Sequence, residues 1–236
     1  MTIAKPKRFK NRREAGKLLA RRLAAYAGQD VIVLALPRGG VPVGAAIAEK
    51  LKAEFDVLLV RKLGFPWHEE LAMGAVASGG LRVLRADILN AFPVPAELIE
   101  AETQHELQEI ERREQSYRRG RPAPSLGGRV VILADDGVAT GSTMRVAVQL
   151  VLQAGPARVI IAVPVCAREA REELSALVDE CICLSAPEPF RAVGAWYESF
   201  EQMSDNEVEK MLDDIRRAAS INSRRAEKAV QHAGKH

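Results

Sequence analysis

Long apolar runs are absent. The apolar stretches 31–36, 57–60, 130–134 and 159–163 are strand-sized, and none reaches the eighteen residues of a membrane span, so a soluble protein is expected. Cysteine is scarce too: Cys166, Cys181 and Cys183 form neither an even disulfide framework nor a zinc-ligand spacing. Cys181 and Cys183 flank Ile182 as alternating strand residues would, and the set predicts a reducing cytoplasm. No fixed short repeat and no low-complexity tract occurs. The pattern GxxxxGK[ST] is also missing, which disfavours a P-loop nucleotidase. Net positive charge is absent outside the end of the chain. Between 216 and 236, six Lys or Arg stand against one Glu, and removing that +5 from the formal +3 leaves −2 for the rest. This basic tail, 216–236, reads as a solvated terminus, and nucleic acid is not the expected partner.

What is present suffices for one sizeable α/β domain: 236 residues, 47% hydrophobic and 28% charged. The Lys- and Arg-rich start resembles a transit peptide, but Leu18, Leu19, Leu23 and Ala24 predict an amphipathic helix over 11–28 with Asn11 as N-cap. Periodicity then predicts a strand over 31–36, a helix over 41–51 with Pro42 in its first turn, and a strand over 55–62. Residues 73–78 and 81–85 alternate around Gly79-Gly80, as in a hairpin. A strongly charged helix follows over 95–119, acidic early and basic late, with only Ile99, Leu107, Ile110 and Tyr117 as an apolar stripe. It is expected to project as an arm outside any core, with Arg118, Arg119 or Arg121 returning over a phosphate site or a partner subunit. Strands over 129–134, 157–164 and 180–184 alternate with helices over 142–154 and 168–178. Such alternation specifies a parallel sheet covered on both faces.

Two turns share one design. In VIVLALPRGGVPVG and VVILADDGVATGST an apolar strand runs into a glycine-bearing turn that opens a helix. Ligands bind outside the carboxyl ends of strands in such sheets, so both turns should face one crevice. Strand side chains alternate faces, so the strand must end at Asp135 if Asp135 and Asp136 are to serve one ligand. Thr140, Gly141, Ser142 and Thr143 then offer hydroxyls and amides at a helix N-terminus, which favours phosphate. An anionic pair that accepts from a diol, beside amides that donate to phosphate, implies a sugar phosphate. The competing readings are that the carboxylates are N-caps, or that the pair belongs to a response-regulator receiver. The receiver reading fails on position, because Asp179 precedes its strand and the pair falls mid-chain.

VVILADDGVATGST resembles the signature of type I phosphoribosyltransferases, enzymes that use 5-phosphoribosyl 1-diphosphate (PRPP). The run from FKNRREAGKLLARRL through LPRGGVPVG, RKLGFPWHEELAMGAV and YRRGRP to PEPFRAVGAWY is similar to bacterial predicted members without an assigned substrate. The resemblance implies a central parallel sheet with helices on both faces and a small hood. It spans about 1–215, with the hood near 185–215 and a helical insertion near 95–120. It gives Asp135 and Asp136 the ribose hydroxyls, and Ala139, Thr140, Gly141, Ser142 and Thr143 the 5′-phosphate. It gives Arg38, Gly39 and Gly40 the diphosphate through a turn that is often cis, with Arg61 and Lys62 as a basic strand end. An ordinary glycine turn and a solvated strand edge are the plainer readings of these last two motifs.

Segment 63–74 corresponds in position to the family's mobile catalytic loop, where His68, Glu69 and Glu70 would assist or merely be exposed. Phe190 or Trp196 would stack on a base, or belong to a local aromatic core. The implied reaction moves the phosphoribosyl group of PRPP to a nitrogenous acceptor, expected to be a nucleobase, as a transferase of nucleotide metabolism releasing diphosphate. Mg²⁺ is implied through the diphosphate and ribose, with Asp135 or Asp136 as a further ligand. Asp135, Asp136 and Arg38 are the expected catalytic residues. A homodimer is compatible with the resemblance. The alternative is a PRPP-sensing regulator on the same fold.

Overall fold

The computed structural model describes residues 8–65, 68–80 and 82–217, with the backbone alone for 68–71. The central sheet has five parallel strands, β1 (Val31–Ala35), β2 (Glu54–Val57), β6 (Val130–Ala134), β7 (Arg158–Val165) and β8 (Glu180–Ser185), in the order β2-β1-β6-β7-β8. β1 and β6 are buried along their whole length, which is why they read as unbroken apolar runs rather than as alternation. Alternate residues go to opposite layers. Val31, Val33 and Ile132 pack on Leu19, Leu23 and Ile47 of the layer formed by α1 (Arg12–Arg22) and α2 (Gly40–Leu51). Ile32, Leu34 and Leu133 pack on Met144, Val148 and Leu174 of α5 (Ser142–Gln153) and α6 (Arg168–Ser175). Each such side chain contributes about 1.5–3 kcal/mol by leaving water.

Asn11 caps α1 as expected, accepting from the Glu14 amide at 2.9 Å, while the Lys10 amide donates to Glu14. The helix stops earlier than expected, and Ala24–Tyr26 tighten into a 3-10 turn. The predicted strand over 55–62 is two strands in two sheets. β2 ends at Val57, and Leu58 and Leu59 carry the chain above the sheet into β3 (Val60–Phe65), which pairs antiparallel with β4 (His68–Ala77), as β4 does in turn with β5 (Arg82–Leu84). The expected hairpin around Gly79-Gly80 is present. The segment expected to be a mobile loop is folded into β3 and β4, with 66–67 outside the described residues.

α3 (Ala86–Ala91) leads to α4 (Ala96–Arg118), the charged helix. It stands against β3 and β4, and the expectation that it lies outside any core is corrected. Ile110 and Tyr117 are buried in a cluster with Leu63, Met73 and Val76 of the hairpin and Val208 and Leu212 of a further helix over 205–217. The stripe is thin but sufficient, because its polar flanks are paired. Arg118, instead of returning to a phosphate site, is buried, donating to Asp56 at 2.9 Å and to the Val57 carbonyl at 3.1 Å. Arg119 pairs with Asp213. Tail residues 218–236 lie outside the described residues.

Candidate active site

The chain leaves β1 for β2 on one side and returns as β6 on the other, so the carboxyl ends of β1 and β6 form the switch point of the sheet. Both expected turns stand there. After β1, residues 36–40 enter α2 with a cis peptide between Pro37 and Arg38 and with Arg38 exposed. After β6, which ends at Ala134 as the acidic pair required, Asp135 and Asp136 precede Gly137 and the loop into α5.

The two turns touch. A Cβ on Gly39 would stand 1.9 Å from Asp136 Oδ2, and one on Gly40 would stand 2.6 Å from the Ala134 carbonyl and 3.2 Å from Asp135 Oδ1. Only glycine lets the first turn lie this close under the carboxylates. The Asp136 amide donates to Asp135 Oδ1 at 2.8 Å, Arg12 Nε donates to Asp136 Oδ2 at 2.8 Å, and the Tyr197 hydroxyl donates to the Asp136 carbonyl at 2.5 Å. Burial, with the charge of Asp136 beside it, pushes the Asp135 carboxyl well above the ordinary carboxylate range. Burial also raises Asp136, against the opposing pull of Arg12. Tyr197 is raised first by its own burial and then by these carboxylates.

The second loop is anchored at one end and open at the other. Val138 bonds on both sides of the β7 end, donating to Val165 and accepting from Ala167 at 2.9 Å. Ala139 and Thr140 are exposed, as are Ser142 and Thr143. Gly141 has φ +74 and is the N-cap of α5, so it offers no side-chain cap; at the start of this twelve-residue helix the Ser142 amide makes only a long 3.5 Å contact to the Thr140 hydroxyl, which lies 3.1 Å from that of Ser142.

The basic strand end divides between two faces. Arg61 turns to α4 and pairs with Glu106 at 2.5 Å, so its guanidinium is committed to the charged helix. Lys62 shares the opposite face with Val60, which packs in the cluster that includes α5. Lys62 is exposed. His68, Glu69 and Glu70 occupy the first residues of β4, and their side chains lie outside the described residues.

The hood is held by the N-terminus. The Phe9 amide donates to the Trp196 carbonyl at 2.9 Å and the Glu198 amide to the Phe9 carbonyl at 2.8 Å. Val193 stands over Gly137, where a Cβ would meet it at 2.5 Å. Trp196, expected to stack on a base or to belong to a local aromatic core, is 9% exposed in a cluster with Ala15, Val165 and Tyr197. Phe190 is half-buried between this cluster and the main core. Sequence reasoning missed Arg12 and Tyr197. Their contacts to Asp136 span 124 and 61 residues, and no local pattern signals them.

Comparison with known proteins agrees with this geometry. The chain is 45% identical to TT1426 from Thermus thermophilus, whose crystal structure superposes with a TM-score of 0.78 over 87% of this chain and 97% of that one. It is 43% identical over 211 residues to the Mycobacterium tuberculosis (strain H37Rv) protein named "Putative phosphoribosyl transferase Rv0571c". That alignment takes in 89% of this chain and 48% of the relative, so the chain spans about half the length of the curated relatives it matches. The family model described as "Phosphoribosyl transferase domain" matches residues 8–199. A switch point lined by two mutually packed turns and a sequence matched over most of its length lead to one assignment: this chain belongs to the phosphoribosyl transferase domain family.

Proposed function

We propose that the protein transfers the 5-phosphoribosyl group of PRPP to a nitrogen nucleophile, a nucleobase being the acceptor class, with release of diphosphate. The observation that carries the reading is the packing of Gly39 and Gly40 against Asp136 and Asp135. It brings the glycine turn after β1 against the carboxylate pair that runs into the loop before α5, an adjacency that supports a sugar flanked by two phosphate groups as the ligand.

Each part then has a task. The open amides of α5, with Thr140, Ser142 and Thr143, bind the 5′-phosphate, Ala139 and Gly141 letting it approach the backbone. Asp135 and Asp136 accept from the ribose hydroxyls and offset the positive charge that the sugar gains. The amides of Gly39 and Gly40, with Arg38, receive the leaving diphosphate, which accumulates negative charge. Lys62 supplies a second cation from the α5 face of the hairpin, whereas Arg61 holds α4. Phe190 is the remaining stacking candidate for the acceptor.

Among the described residues no three acidic, histidine or cysteine side chains converge as a cation cage. One oxygen of each site carboxylate is already bonded, so the donor set fits a Mg²⁺ that arrives on the diphosphate, with Asp135 or Asp136 adding at most a single ligand. The ion neutralises the diphosphate when bound. No helix among the described residues is long and apolar enough to cross a membrane, and the three free thiols suit the reducing cytoplasm.

Incubating the full chain with PRPP, Mg²⁺ and a panel of nucleobases tests the reading. Base-dependent release of diphosphate with a matching nucleotide mass is expected. Tight PRPP binding with no turnover on any base would instead make the protein a PRPP sensor.

A further inference from the structure

Arg12 makes three contacts with one guanidinium. Its Nε donates to Asp136 Oδ2 at 2.8 Å, its Nη1 donates to the Glu201 carbonyl at 2.7 Å, and its central carbon lies 3.8 Å over the ring of Phe200. Both partners of the ion pair are well shielded, with side-chain exposures of 12% and 14%. The residue is held at the base as well. Arg12 is the first residue of α1, directly after the Asn11 cap, and the Lys10 amide donates to Glu14 in the same turn. A planar guanidinium fixed at its root, its face and two of its nitrogens cannot swing as a lysine would.

Asp136 has few other restraints on its side chain. Gly39 lies beneath it without a side chain to steer it, and Asp135, its neighbour, carries a charge that would push it away when ionised. The Tyr197 hydroxyl holds the backbone carbonyl rather than the carboxylate.

We infer that Arg12 is a positioning residue for ribose recognition: by clamping Asp136 Oδ2 it fixes the plane of that carboxylate and leaves the other oxygen aimed for a sugar hydroxyl. The inference rests on the reading of Asp135 and Asp136 as the ribose contacts. It also ties sugar recognition to the hood, because the same guanidinium grips residues 200 and 201.

Calorimetric titration of the full chain with three probes tests it: ribose 5-phosphate, 2-deoxyribose 5-phosphate, and inorganic diphosphate with Mg²⁺. The wild type should prefer ribose 5-phosphate over the deoxy sugar. Arg12→Ala should bind ribose 5-phosphate at least tenfold more weakly, with the preference over the deoxy sugar largely gone and diphosphate affinity within twofold of wild type. Arg12→Lys should recover part of the preference. Adding Arg12→Ala to Asp136→Asn should change ribose 5-phosphate affinity little further, since the clamp would have nothing left to orient. Wild-type discrimination in Arg12→Ala, or an equal loss for all three probes, would overturn the inference alone. Failure of the wild type to bind any of the three probes would overturn the proposed function and this inference with it.

Discussion

Gly39 and Asp136, almost a hundred positions apart in sequence, occupy adjoining space so tightly that a methyl group on the glycine would fall 1.9 Å from the carboxylate oxygen. The backbone of Gly39 is ordinary, at φ −62 and ψ −33, so alanine would suit its conformation. Only the carboxylate forbids it. Gly39→Ala should therefore displace Asp136 and weaken PRPP binding by about tenfold or more, read by calorimetry. Pairing it with Asp136→Gly should leave the fold as stable as Asp136→Gly alone, because the clash is then gone.

Asp135→Asn should stabilise the free protein while weakening PRPP binding. The buried carboxyl is raised, so the folded state holds its proton more tightly than the unfolded chain does. The stability linked to that proton is fully present below the unfolded pKa and is lost as pH rises toward the folded value. Asparagine, which does not titrate, should thus match the wild type in acid and gain on it from about pH 4 upward. At neutral pH a higher Tm than that of the wild type is expected, with the difference vanishing in acid.

Arg61 and Lys62 should separate by variant. Arg61→Met leaves the nearly buried Glu106 without its cation and should cost about 1–2 kcal/mol in denaturant unfolding, a modest figure because Arg61 is itself a third exposed. Diphosphate affinity should hardly move. Lys62→Met should show the reverse, with unchanged unfolding and several-fold weaker binding of Mg²⁺-diphosphate. Equal effects of the two variants on diphosphate would remove the division between the faces.

Arg118→Ala should be the most destabilising of these changes, at about 3 kcal/mol, since it takes the hydrogen-bonded cation from buried Asp56 and leaves it Arg216, 3.9 Å from an Oδ1 that lacks a hydrogen bond. The paired change Asp56→Asn with Arg118→Met should recover much of that loss. Urea unfolding of the two variants measures both.

Much of the sheet is legible in the sequence because its strands are buried on both faces, and 130–134 and 159–163 carry that burial as unbroken apolar runs. The acidic pair and the glycine turns are legible for a related reason: each is a local device whose residues lie within one turn. What stays hidden depends on distant partners. Leu58 and Leu59 lie inside the apolar run from Val57, the end of β2, to Val60, the start of β3, so nothing local marks the passage from one sheet to the other. α4 reads as too polar for a core, but Glu106 goes inside against the partly exposed Arg61 and Arg118 goes inside with Asp56, and a carboxylate's burial cannot be read without its cation. Arg12 reads as one more basic residue on a surface helix.

The pairing of Phe9 with Tyr197 bears on how the protein is made. Synthesis runs from the first of these residues to the second, so the hood's roof emerges after β6 and α5, and α1 is made well before residue 136 brings Arg12 its counter-ion. The nascent chain can pack its two glycine-bearing turns together once β6 and α5 have emerged. It cannot yet close the hood over them. A ribosome-bound fragment stopped before residue 190 should thus hold the turns at the switch point with nothing from 193–197 above them, which orders the assembly of the two halves of the crevice in time.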